Sequence, residues 1–101
     1  MDGQSSISTD ILARYAADAA GEVIGVRALS ESSMPGRRGG VRVSSDDAGV
    51  RVELHLVVGW GASVPAVGHE VQERVREYLL RMADVEPASV DVVVEEIGPR
   101  P

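Results

Sequence analysis

Cysteine does not occur in this chain, which excludes disulfides, thiol nucleophiles and thiolate metal sites. Phenylalanine is absent as well, and Tyr15, Trp60 and Tyr78 are the whole aromatic complement. The core must therefore be built from Val, Leu, Ile and Ala, which suits closely spaced layers better than a ligand cavity. Lysine is missing too: all 10 cations are arginines, set against 16 carboxylates, for a net charge of −6. An acidic surface of that size favours solubility and argues against a nucleic-acid backbone as the main partner. No apolar run approaches the roughly 18 residues of a membrane span, and no basic-then-apolar leader opens the sequence. What is present is 101 residues, 44 % of them apolar. That is one domain's worth, able to bury about two-thirds of its unfolded surface.

The clearest pattern lies in residues 50–60. Val50, Val52, Leu54, Leu56, Val58 and Trp60 alternate with Arg51, Glu53, His55, Val57 and Gly59. Period two marks a strand with one buried and one wet face. The corner Gly59-Trp60-Gly61-Ala62-Ser63 follows, and the period then becomes helical. Val64, Val67, Val71, Val75, Tyr78, Leu79 and Met82 form the apolar stripe, with Glu70, Glu73, Arg74, Arg76, Glu77 and Arg81 opposite. A strand and a helix, each with one apolar face, are expected to pack on one another.

The rest of the chain supplies their partners. Ser8 reads as an N-cap, and Asp10 suits the positive end of a helix. That first helix runs through Ile11, Leu12, Tyr15, Ala16, Ala19, Ala20 and Val23, with Gly25 as its stop. Ile7 could close a short leading strand. Residues 29–40 read as a long loop, the length at which loops are functional or mobile. Val41 and Val43 begin a strand, Ser45-Asp46-Asp47-Ala48-Gly49 turns it into the central one, and Val90, Val92 and Val94 mark a last strand. Reached through a helix, that last strand is expected to run parallel to the central one. The expectation is an α+β two-layer sandwich: a three- to four-stranded sheet with two helices on one face, in the order α-β-β-α-β. The domain spans residues 6–97, with tails at 1–5 and 98–101.

Chemistry is sparse. The two histidines are His55 and His69. Zinc needs three or four ligands, and His69 with Glu73 one turn later offers two on a charged helix face. His55 reads as an exposed cross-strand residue. Ser63 follows a glycine corner, but helix capping accounts for it more simply than a nucleophile elbow. Neither a metal, a cofactor nor a catalytic set is expected. The mobile basic loop Gly36-Arg37-Arg38-Gly39 has the G-x-x-G form of KH RNA-binding modules. That loop joins two helices in KH domains, whereas here a strand follows. A KH-like RNA-binding module is the alternative reading.

Three ordered features carry a family resemblance. Ile7-Ser8 opens a small-residue helix that closes on Glu22-Val23-Ile24-Gly25-Val26. The strand at 50–58 leads through Gly61 and Val64-Pro65 to Val71-Gln72-Glu73-Arg74-Val75. The segment Val90-Asp91-Val92-Val93-Val94 closes the chain. In this order the sequence resembles the alkaline shock protein family of small bacterial envelope-stress-response proteins, from about residue 6 to 97. The resemblance implies a cytoplasmic protein without catalysis that self-associates or is held at the inner face of the cell membrane by a membrane-anchored protein. It implies neither nucleic acid as a partner nor direct membrane insertion.

An interaction surface is expected on the open face of the sheet. Arg51 and Glu53 would set register by charge, and Val57 and Val93 would supply its apolar part. Leu80, off the buried stripe of the second helix, is a further candidate contact.

Overall fold

The computed structural model describes residues 7–30 and 39–99. Helix α1 (Thr9–Gly21) starts where Ser8 turns extended and its Oγ accepts the Ile11 N–H at 3.2 Å. Such a cap satisfies a donor that has no partner within the helix. Leu12, Ala16, Ala19 and Ala20 form the buried stripe, and the small alanines let the helix lie close to its support. The helix ends at Gly21, with Glu22 as its cap, and does not continue through Val23 as the periodicity suggests. Gly25 shapes the following turn at φ +102°, where a Cβ would stand 2.7 Å from a Val67 methyl.

The chain then forms β1 (Val26–Leu29), a strand hidden inside the segment read as helix end and loop. The order is thus α-β-β-β-α-β. The cause of the discrepancy is a bulge: Val26 pairs with Val58 and Ala28 with Val57, so Arg27 is an extra residue that breaks the period of two. Ile7 lies outside any strand, and the rest of the supposed leading strand falls outside the described residues. Strands β2 (Val41–Asp46) and β3 (Gly49–Val58) make a hairpin, with the Asp46 carboxylate accepting the Ala48 N–H at 2.8 Å.

Helix α2 (Val64–Ala83) is capped by Ser63, whose Oγ accepts the Ala66 N–H at 3.3 Å. It buries Val67, Val71, Val75 and Leu79. Met82 is not on that stripe but 46 % exposed, and Trp60 is likewise turned outward at the glycine corner. Asp84 ends the helix in the left-handed region at φ 55°. Gly68 lies inside α2 at a cost of about 1 kcal/mol relative to Ala. A Cβ there would meet nothing within 4 Å, so packing within the described residues gives no reason for a glycine.

Strand β4 (Ser89–Ile97) runs parallel to β3, as the helical crossover requires. In the sheet β3 is central. Strands β1 and β2 both pair antiparallel with it, at residues 56–58 and 49–54 respectively, and β4 pairs with it at residues 51–58. Opposite His55, the backbone joins the two antiparallel strands: its carbonyl accepts the Ser30 N–H at 2.7 Å and its N–H donates to the Gly40 carbonyl at 2.8 Å. Strands β1 and β2 are therefore two lengths of one edge, and the segment between them leaves and returns opposite His55. Gly40 is required at that return: its φ is +81°, and a Cβ would lie 2.6 Å from the Ser30 carbonyl oxygen.

Both helices cover one face. Val41, Val52, Leu54, Leu56, Val58 and Val90 meet the α1 and α2 stripes in one core, as a two-layer α+β sandwich demands. The helices also grip each other, Tyr15 edge-on to Tyr78 with centroids 5.8 Å apart. Arg81 lies 5.5 Å over the Tyr78 ring, and Arg74 bonds Glu70 one turn back at 3.2 Å.

Candidate functional site

The face of the sheet away from the helices carries the side chains that the buried pattern leaves over. Alternation along β3 sends Arg51, Glu53, His55 and Val57 to this face. Register sets Arg42 and Asp91 on either side of Glu53, and Val93 beside His55. Here β4 has its own bulge. Val94 pairs with Leu56 and Glu96 with Val57, so Glu95 is an extra residue in β4. A bulge re-aims a side chain, and this one brings Glu95 over the centre of the face.

The result is a connected polar cluster. Glu95 Oε2 lies 2.6 Å from His55 Nδ1, and Glu53 Oε2 lies 2.5 Å from His55 Nε2. Ser30 Oγ donates to Glu95 Oε1 at 2.5 Å. Both ring nitrogens thus face carboxylate oxygens. An imidazolium satisfies both contacts, whereas a neutral ring satisfies one and needs a carboxyl proton for the other. His55 is only 8 % exposed, not the wet cross-strand residue that alternation alone suggests. Two carboxylates close over it, and one comes from a strand 40 positions away in sequence.

This arrangement ties structure together more readily than it activates a nucleophile. The hydroxyl of Ser30 meets an acid rather than the imidazole, and neither ring nitrogen is left to take its proton. The cluster instead joins β3, β4 and the end of β1 at the point where the 31–38 segment departs. Among the described residues no group of three or more His, Cys, Asp or Glu side chains could hold a metal ion.

The other residues singled out by sequence fall in separate places. Arg51 is half exposed and engaged within its own hairpin, with Nη1 3.1 Å from Asp46 Oδ2. Val57 is half-buried and Val93 is 40 % exposed, so the face has a small apolar portion beside the His55 cluster. Leu80 is 50 % exposed on α2, in the opposite layer. A contact through Leu80 is therefore separate from one through the open face. Arg37 and Arg38 lie outside the described residues. The elements flanking their segment are β1 and β2, two strands rather than the two helices of a KH domain.

Sequence reasoning missed the cluster as a unit. The local signal, Glu53 and His55 two positions apart on one face, was present in the alternation. Alternation in the last strand also puts Glu95 on that face, but its place over His55 depends on the β4 bulge, and Ser30 was not locatable because it ends an edge strand that the β1 bulge conceals.

Comparison with known proteins places the chain. YqhY of Bacillus subtilis (strain 168), an uncharacterized protein, is 30 % identical over 99 residues, covering 89 % of this chain and 73 % of that protein. The uncharacterized Streptococcus pyogenes protein Spy1614 is 27 % identical over 107 residues, covering 95 % of this chain and 88 % of that one. Among solved structures, a MamM CTD matches with a TM-score of 0.58 at 18 % identity, covering 88 % of this chain and 99 % of that chain. A zinc form of a MamM CTD variant gives the same score and identity over 90 % and 88 %. At that identity the likeness is one of fold alone. The family profile spans nearly everything described above, residues 1–99, and this chain belongs to the alkaline shock protein 23 family, with cell envelope-related function.

Proposed function

We propose that this protein serves the cell envelope as a non-catalytic interaction module in the cytoplasm, working by self-association through its sheet or by capture on a membrane-anchored protein. The observation that carries this reading is the sheet face that, among the described residues, no element covers. Both helices lie on the other side, and the exposed face presents Arg42 and Arg51 towards β2 and Asp91, Glu95 and Glu96 along β4. Val57 and Val93 lie between. Two copies meeting face to face about a two-fold axis can set the arginine side of one against the acidic side of the other. Two valines are too small a patch to drive association alone, so charge must fix the register. Family membership supports the envelope context. Among the described residues no helix is long and apolar enough to cross a membrane.

Light scattering or sedimentation at low and high salt tests the reading. The expected result is an oligomer that weakens as salt rises and that Val57→Glu disrupts while the circular dichroism of the fold is retained. A monomer at every concentration up to about millimolar, the range in which weak contacts appear, refutes self-association and leaves the partner-dependent half of the proposal.

A further inference from the structure

A different surface carries its own proposal. Strand β4 has β3 along one side and, among the described residues, no strand along the other. Edge strands of this kind offer a row of backbone donors and acceptors to another chain. Beside this edge runs a groove of about 310 Å³ between α2 and β4, lined by Val64, Pro65, Gly68, Val92 and Val94, with His69 and Gln72 as its polar members. The flank of α2 that holds Arg74 and Tyr78 turns towards α1, so the 65–68–72 flank overlies the outer side of β4. Gly68 keeps that groove open: a side chain there would enter empty space, and no contact within the fold demands its absence.

Charge narrows the occupant. The bulge puts Glu96 in register with Val57, on the same open face as Asp91 and Glu95, while Val92 and Val94 line the groove. The edge therefore has an acidic side and an apolar side. A second β4, paired antiparallel about Asp91 in its straight part, would set the two Asp91 carboxylates opposite each other, and like charges directly opposite are destabilising. A strand whose alternate residues are basic and apolar meets the reverse situation. One cation faces Asp91, the next points towards Glu96 just past the paired stretch, and its apolar side chains enter the groove beside Gly68. We infer that the β4 edge and the α2 groove together bind an extended segment of another protein that alternates Arg or Lys with aliphatic residues, by adding it as a fourth column to the sheet. The straight part of β4 before its bulge, residues 89–94, sets the length of that segment at about six residues.

The test uses the intact protein and a synthetic probe, acetyl-Arg-Val-Arg-Val-Arg-Val-Arg-amide. The control has the same composition in block order, four arginines then three valines. Amide shifts in NMR are expected to concentrate on residues 89–94 and on the first turns of α2, with block-order binding weaker by about tenfold or more. Gly68→Leu fills the groove, adds a good helix former and leaves the charge unchanged. It is expected to raise the unfolding midpoint and abolish alternating-peptide binding. Asp91→Arg should weaken binding and flatten its salt dependence. Equal affinity for the two peptides, or full binding by Gly68→Leu, overturns the proposal and leaves unspecific attraction to an acidic surface. Self-association without peptide that Gly68→Leu abolishes also overturns it, because the occupant is then a second copy. Val57→Glu lies outside the groove and separates this result from the face-to-face association proposed above.

Discussion

Leu54→Ala is the sharpest test of how the layers are assigned. Leu54 is fully buried, in register with Val41 on one side and Val92 on the other, under the helical layer. Truncation removes three carbons, worth about 2.4 kcal/mol at ~0.8 kcal/mol per buried methylene. A residual void of roughly 60 Å³ would add about 1.4 kcal/mol at ~24 cal/mol per Å³. With a strand on each side and helices above, the site cannot collapse easily, so the sum of about 4 kcal/mol is the expectation. Against a total stability of ~5–15 kcal/mol for a domain, that loss is large. It corresponds to a fall in Tm of about 15–30 °C at this size. Urea titration is the assay, with the midpoint moving and the slope unchanged. Met82→Ala serves as the contrast: that side chain is 46 % exposed and should cost under about 1 kcal/mol. A loss below about 0.5 kcal/mol for Leu54→Ala, against the ~2–5 kcal/mol of buried leucines, would mean that β3 presents its other face to the helices.

Two further outcomes follow from the geometry. Gly40→Ala places a Cβ against the Ser30 backbone at positive φ and should destabilise by about 2 kcal/mol or more, whereas Gly21→Ala has free space and should be neutral or stabilising by up to about 1 kcal/mol; thermal melts that reverse this order would contradict the strand junction. His55→Leu removes the ring that both Glu53 and Glu95 contact, but both carboxylates are about a third exposed and can reach water, so the loss should be about 1–2 kcal/mol. Hydrogen exchange at the Ser30 amide should quicken in that variant, and an unchanged rate would show that the cluster does not hold the junction.

What was legible in the sequence was whatever a local period or a local cap encodes. The alternation of residues 50–58 specified a half-buried strand because side chains in a strand point to opposite faces. The three- and four-residue spacing from Val64 to Leu79 specified the helix, and Ser8 and Ser63 announced the starts of α1 and α2. The crossover between β3 and β4 required a parallel pair, since a helix between two strands returns the chain to the same end. Family membership was also legible, through the order and spacing of these elements.

Tertiary structure alone decided what depends on register between distant segments. Strand β1 exists because Val26 to Leu29 find the end of β3, and its bulge erased the only local sign of it. The bulge at Glu95 slides β4 by one residue, which puts two carboxylates in succession on the open face and one of them on His55. Alternation alone predicts a solvated histidine there. Three strands converging on it make it a buried one, because a pairing shift of one residue redirects a side chain without leaving any trace in periodicity.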